Sequence, residues 1–265
     1  MLDFFKVKTT KNNIKPTISG FFPFLNDWGT IGSLVATLDD VLRRKASKYE
    51  ILIIDDGSDS KAKEILRIIA KNFPKVRVIT HKRNRGYGGA LKSGIENSKM
   101  DWIFYTDGDA QYDPRDLERL IKNKKPGTDI INGYKIKRAD AWYRILTGKT
   151  YHYFVKTLFS VPIRDTDCDF RLMRRSIFNK VKLESNSGLI CAEMIKKISD
   201  FGFAFQEIPV THYWRTSGKS QFFNFKRVGK VIIGLLGLWY KLVVKKEHLQ
   251  DNIEDEKNTS NKSRK

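Results

Sequence analysis

Only two cysteines, Cys168 and Cys191, occur in the 265 residues. They form no CxxC metal pattern and no disulfide framework, so a reducing compartment is expected and each reads as a small buried hydrophobe. Long apolar runs are missing too. None reaches the ~18–20 residues that span a bilayer, and the N-terminal MLDFFKVKTTKNNIKP has no signal-peptide core. No G-x-G-x-x-G follows the first strand, which argues against a dinucleotide oxidoreductase, and the glycines of Arg85–Ala90 lack the spacing and the Lys-Ser/Thr of a P-loop. Acid is scarce: 30 Asp+Glu stand against 50 Lys+Arg, a formal charge of +20. Such a field attracts polyanions, whether nucleic acid, anionic lipid headgroups or phosphorylated substrates. No recognisable RNA- or DNA-binding motif supports a basic nucleic-acid-binding module, the most distant alternative, so no nucleic-acid partner is expected.

Strands and helices alternate through about residue 135. Thr17–Phe22, Tyr49–Asp55 (YEILIID), Val76–Thr80, Trp102–Thr106 (WIFYT) and Asp129–Asn132 read as strands. Between them lie a helical stripe at Ile31, Leu34, Val35, Leu38, Val41 and Leu42, a second helix over Ser60–Phe73, and a glycine-opened helix over Gly86–Ser98. This alternation predicts an α/β fold with a mostly parallel sheet flanked by helices. In the second half, Trp142–Ser160 and Ser187–Phe201 read as helices and Phe203–Tyr213 as a strand. The expected division is an N-terminal extension (1–16), a catalytic domain (17–221), an amphipathic helical segment (222–244) and a disordered charged tail (245–265).

The segment FYTDGDAQYDP carries the sharpest chemistry. A buried strand delivers Asp107 and Asp109 into a turn, and Gln111 adds a neutral oxygen. Oxygen-only ligands suit Mg²⁺ or Mn²⁺, which would neutralise charge building on a diphosphate leaving group. Asp113 reads as the cap of the next helix, with Pro114 at its first position. Asp55 and Asp56 close the second strand, which is expected to be a parallel neighbour at the same sheet edge. They suit hydrogen bonds from a base or ribose, or turn chemistry with Gly57. The glycines of Arg85–Ala90 suit either a phosphate at a helix N-terminus or close packing.

Taken in order, DDGS, NRGYGGA, YTDGDAQYDP, DTDCDFRLMRR and RTSGKS resemble the family 2 glycosyltransferases of the GT-A fold, nearest the dolichyl-phosphate mannose and polyprenyl-phosphate sugar synthases. The resemblance spans roughly residues 17–225. It implies a Rossmann-like GT-A domain, nucleotide contacts at Asp55 and Asp56, and metal and diphosphate binding by Asp107, Asp109 and Gln111. It also implies acceptor-phosphate contacts at Arg144 and Arg215. Two segments depart from the family pattern: Gly133-Tyr134-Lys135 replaces Ser-Arg after the fifth strand, and the first strand ends Pro23-Phe24-Leu25-Asn26-Asp27.

The activity so implied is inverting transfer of a sugar from a nucleotide-diphosphate donor to a polyprenyl phosphate. A saccharide or other hydroxyl acceptor is the alternative. A lipid phosphate is already anionic near neutrality and attacks without a base, whereas a hydroxyl needs a carboxylate within reach. Asp167, Asp169 and Glu193 are the candidates for that base, with an ion-pair network among residues 165–175 as their structural alternative. With Asp109, Asp169 and Glu193 make up the candidate catalytic set. Arg171, Arg174, Arg175, Arg215 and Lys219 are candidates to face a phosphate, since arginine matches it with a bidentate fork. His212 beside them reads as a packed residue. Phe222–Val244 interleaves large apolar residues with Lys226, Arg227 and Lys230. That pattern suits an interfacial membrane helix, a helix packed on the domain, or an oligomer interface. A cytoplasmic protein held peripherally at the membrane face is expected.

Overall fold

A computed structural model describes residues 15–136, 153–214 and 225–250, with side chains of the last stretch from 229 onward. Among these residues seven strands form one sheet: β1 (Thr17–Phe24), β2 (Lys48–Asp55), β3 (Val76–Thr80), β4 (Trp102–Thr106), β5 (Ile130–Lys135), β6 (Phe170–Arg174) and β7 (Phe205–Val210). Their order is β3-β2-β1-β4-β6-β5-β7. Every pairing is parallel except the two made by β6, which runs against both β4 and β5.

The helices are α1 (Ile31–Lys45), α2 (Ser60–Asn72), α3 (Tyr87–Asn97), α4 (Leu117–Asn123), α5 (residues 153–159), α6 (Ile177–Lys180), α7 (Ile190–Asp200) and α8 (Phe225–Trp239). Side chains of a strand alternate between faces, so the sheet builds two cores. Ile51 and Ile53 of β2 face the core that α1, α2 and α4 complete, where the α1 stripe is buried as its periodicity predicts. Leu52 and Ile54 face the core of Leu91, Ile95, Ile190 and Ile195 from α3 and α7. Asp59 caps α2 by accepting from the Ala62 N–H at 2.8 Å. Asp113 accepts from the Arg115 N–H at 2.9 Å and starts a 3₁₀ turn, Pro114–Asp116, that leads into α4.

The sheet departs from the sequence reading in two ways. The charge-dense stretch around residues 165–175 contains β6, a buried central strand. And β2 is not beside β4, because β1 lies between them. Both β2 and β4 do end at the same edge, since both run parallel to β1. Most of the helix expected over Trp142–Ser160 lies outside the described residues; its final turns are α5.

At the C-terminus α8 passes into a π-helical turn, Tyr240–Val244. Leu235 and Leu242 are buried in the second core, while Ile232, Ile233, Leu236, Tyr240 and Val244 are exposed. Among the described residues no helix is long and apolar enough to cross a membrane. Beyond the π-helical turn His248 is buried and hydrogen-bonds Asp200 at 2.8 Å.

Candidate active site

The register of β4 against β6 sets the centre of the site. Tyr105 pairs with Arg171 and Thr106 with Phe170, and Asp107 and Asp169 lie immediately beyond this last pair. Both carboxylates therefore leave the sheet at its carboxyl edge, and the negative charge of both bears on the Tyr87 and Tyr105 hydroxyls. A tyrosine serves each of them. The Tyr87 hydroxyl donates to Asp107 Oδ1 at 2.8 Å, and the Tyr105 hydroxyl donates to Asp169 Oδ1 at 3.3 Å. The Cys191 thiol also lies 3.2 Å from that oxygen. Burial, then the negative charge of Asp107 and Asp169, pushes the Tyr87 hydroxyl well above its ordinary value, so it remains a donor.

Arg171 is wholly enclosed. Its guanidinium donates to Asn132 Oδ1 and the Thr166 carbonyl, both at 2.7 Å, and to Tyr105 Oη, and it lies 3.8 Å from Asp169. It therefore braces the site from below and is not on the surface for a phosphate. Arg174 and Arg175 leave the site altogether. The reversed course of β6 takes Arg174 to the Trp102 end of β4, where it pairs with Asp129 at 3.2 Å, and Arg175 bonds the Met100 carbonyl at 3.0 Å.

The turn after β4 is tightly determined. Asp109 is buried, and its Oδ1 accepts from the Gln111 N–H at 3.0 Å. Thr30 Oγ1 donates to the Gly108 carbonyl. Ala110 sits at φ +60°, a left-handed conformation that a non-glycine residue adopts at a cost. Tyr213 N–H donates to the Gln111 carbonyl at 2.8 Å, beside the bridge between Tyr112 and His212. His212 is buried edge-on against Tyr112, as its packed reading expects. Two carboxylates and an amide on one pinned turn are hard oxygen donors, a set that fits Mg²⁺ or Mn²⁺ and not a thiophilic ion.

Asp55 and Asp56 play different parts. Asp55 Oδ1 accepts from the Ser58 N–H at 2.9 Å, and its Oδ2 is buried without a hydrogen-bond partner. An orphaned carboxylate oxygen is costly, and at this edge it suits an N–H or O–H of a ligand. Asp56 is spent. Its Oδ1 meets His81 Nδ1 at 2.6 Å and the Arg85 N–H at 2.8 Å, and its Oδ2 accepts from the Gly86 N–H at 2.9 Å. His81 Nε2 in turn meets Ser93 Oγ at 2.9 Å. Asp56 thus anchors the loop before α3.

The glycines of that loop serve close packing. A Cβ on Gly86 would lie 2.4 Å from the Asn186 carbonyl oxygen, and one on Gly88 would lie 2.3 Å from the Ser185 carbonyl oxygen. The N–H groups of Gly86 and Gly88 donate to Asp56 and to the Asn186 carbonyl, which removes them as donors to a phosphate.

Glu193 lies on α7, two residues beyond the Cys191 that touches Asp169. It is buried, and its oxygens accept from the N–H groups of Glu184 and Ser185 at 2.8 and 2.9 Å and meet Lys197 Nζ at 2.9 Å. It holds the 184–186 strap that lies against α3. Lys135 Nζ lies 3.6 Å from Asp165 and donates to the Asp167 carbonyl at 2.9 Å, the structural network that the sequence offered as an alternative for this stretch. Arg144, Arg215 and Lys219 lie outside the described residues. Sequence reasoning missed Tyr87 and Tyr105. One sat in a motif read for its glycines, the other in a strand read for its hydrophobicity.

Comparison with known proteins gives a consistent result. The profile described as Glycosyl transferase family 2 matches residues 21–182. An undecaprenyl-phosphate 4-deoxy-4-formamido-L-arabinose transferase of Edwardsiella ictaluri is 27% identical over 232 residues, which cover 85% of this chain and 66% of that protein. A dodecaprenyl-phosphate galacturonate synthase of Rhizobium johnstonii is 25% identical over 224 residues, covering 82% and 65%. The chain thus spans just under two thirds of the length of these relatives. Among solved structures, glucosyl-3-phosphoglycerate synthase of Mycobacterium tuberculosis with Mn²⁺, UDP and phosphoglyceric acid superposes with a TM-score of 0.66 at 14% identity, covering 85% of this chain and 78% of that one. A mannosyltransferase of Pyrobaculum calidifontis with GDP-Man and Mn²⁺ gives 0.58 at 16%, covering 78% and 59%. At these identities the likeness establishes the GT-A fold alone.

Proposed function

The chain belongs to glycosyl transferase family 2, and from that premise we propose that it transfers a sugar, with inversion, from a nucleotide-diphosphate donor to a polyprenyl phosphate. The observation that carries the reading is the position of Asp107 and Asp109 just past β4 and of Asp169 just before β6, at one edge of the sheet, in a chain whose relatives are named for undecaprenyl and dodecaprenyl phosphates.

In this reading Asp55, with its unpartnered buried oxygen, receives the nucleoside. Asp107, Asp109 and Gln111 hold Mg²⁺ or Mn²⁺, which when bound supplies positive charge to the departing diphosphate. Tyr87 and Thr30 fix the carboxylate and the backbone of that turn. Asp169 faces the sugar from the β6 side, oriented by Tyr105. A phosphate acceptor needs no base, so Asp169 shapes the sugar pocket and carries no proton. Arg144, Arg215 and Lys219 are proposed to receive the acceptor phosphate as bidentate or point-charge partners.

A polyprenyl chain is insoluble in water, so its enzyme must meet a lipid surface. The exposed face of α8, with Ile232, Ile233, Leu236 and Tyr240 between Lys230 and the pair Lys245 and Lys246, is proposed as a peripheral membrane contact at the cytoplasmic face.

The test uses labelled UDP- and GDP-sugars, Mn²⁺ and vesicles carrying undecaprenyl phosphate. Label is expected in the organic phase, and Asp109→Ala is expected to cut its transfer by at least about a hundredfold, the scale of losing a transition-state charge contact. Label found only in water-soluble glycan would replace the phosphate acceptor with a hydroxyl acceptor and give Asp169 the role of base.

A further inference from the structure

We propose that Tyr87 is a positioning residue for the metal and diphosphate: it fixes the carboxylate of Asp107 in the orientation that receives the ion. The inference rests on the metal reading of Asp107 given above and adds a residue to it.

The case is geometric. The Tyr87 hydroxyl donates to Asp107 Oδ1 at 2.8 Å from an element on a different part of the chain, the first residue of α3. A hydrogen bond to one carboxylate oxygen removes a rotational freedom that a bare strand-end aspartate would keep. It also leaves the direction of the second oxygen defined. Partners of this kind orient metal ligands, and their loss typically weakens metal binding about 10–100-fold.

Tyr87 can do this only if its own backbone does not move, and the chain on both sides of it is pinned. On the N-terminal side Arg85 and Gly86 donate their N–H groups to the two oxygens of Asp56, which is itself buried and held by His81. On the C-terminal side the Gly88 N–H donates to the Asn186 carbonyl at 2.9 Å. Gly86 is held at φ +81°. A Cβ there or on Gly88 would collide with the Asn186 or Ser185 carbonyl oxygen at 2.4 or 2.3 Å. The strap that supplies these carbonyls is fixed from beneath by Glu193. Two carboxylates, Asp56 and Glu193, thereby act at a distance from the ion: each immobilises one flank of the residue that aims Asp107.

The experiment titrates Mn²⁺ into the full chain and follows the free ion by electron paramagnetic resonance, in the presence of UDP and, in a parallel arm, GDP. Tyr87→Phe is compared with Tyr49→Phe, which removes a like bond to Asp39 far from the site. Tyr87→Phe is expected to raise the Mn²⁺ dissociation constant about tenfold or more, while Tyr49→Phe leaves it unchanged. Excess Mn²⁺ should restore turnover, so the loss appears in the metal requirement and not in kcat at saturation. Equal affinity in the wild type and Tyr87→Phe overturns the assignment. Absence of Mn²⁺ binding by the wild type in both arms takes down the metal reading and this inference together, a result distinct from the former. If Tyr87→Phe also lowers the thermal midpoint more than Tyr49→Phe does, the Asp107→Asn background decides. No further loss of Mn²⁺ binding on adding Tyr87→Phe supports action through Asp107, and a further loss overturns it.

Discussion

A Cβ placed on Gly88 would stand 2.3 Å from the Ser185 carbonyl oxygen and 2.8 Å from the Asn186 carbonyl carbon. These are backbone atoms, so no side chain can turn aside to relieve the contact. Gly88→Ala is expected to destabilise the chain by about 1–3 kcal/mol, the usual cost of forcing atoms into a filled space, read as a lower urea midpoint with an unchanged slope. At this scale legibility was uneven. That Asp107 and Asp109 leave a buried strand for a turn could be read from sequence, because an apolar run ending in D-x-D has a directional meaning. The different fates of Asp55 and Asp56 could not, since they depend on His81 and on two N–H groups about 30 residues away. Two of the partners of Glu193 are backbone N–H groups, which have no side-chain signature, whereas Lys197 at i+4 could have been read from spacing.

Among elements, α8 shows what periodicity reveals and where it stops. Its sequence gave an amphipathic pattern with three open readings. One face packs on the domain through Leu235 and Leu242, and the other stays apolar and exposed. The attachment is reinforced where the π-helical turn brings Lys241 to Glu184. Burial alone would raise that carboxyl, but hydrogen bonds from Lys241 and Lys197 outweigh it and hold it at about 2. Ile233 is 72% exposed, so Ile233→Asp should leave the thermal midpoint nearly unchanged while lowering partition onto lipid vesicles about tenfold, about 1.4 kcal/mol of lost apolar contact. Co-sedimentation with vesicles measures it. By contrast β6 escaped the sequence reading. Asp167, Asp169, Arg171, Arg174 and Arg175 make residues 165–175 look like a surface, yet the strand is central because Arg171 finds four polar partners inside.

For the whole molecule the excess of basic residues, +20 in all, acts at longer range than any single contact. Binding to vesicles containing anionic lipid is expected to weaken steeply between about 50 and 500 mM salt, as the screening length contracts from roughly 14 to 4 Å. Binding to neutral vesicles, which depends on the α8 face, should change little. Flotation assays at the two salt concentrations separate these contributions. The parallel α/β architecture was legible at this scale because every early strand was an apolar run between helical stripes. The strand order was not, since pairing across the reversed strand leaves no periodic trace.

That reversed strand has a consequence for how the chain is made. β4 and β5 are synthesised well before β6, and no direct β4–β5 pairing joins them. Until residues 170–174 emerge, β4 presents one side as a bare row of peptide groups, and β5 waits for both of its eventual partners. Unsatisfied strand edges invite pairing with other chains. The nascent polypeptide is therefore open to such pairing from the completion of β4 until β6 and then β7 arrive. The segment that fills the gap between β4 and β5 is also the one that carries Asp169 to the sheet edge where Asp107 lies.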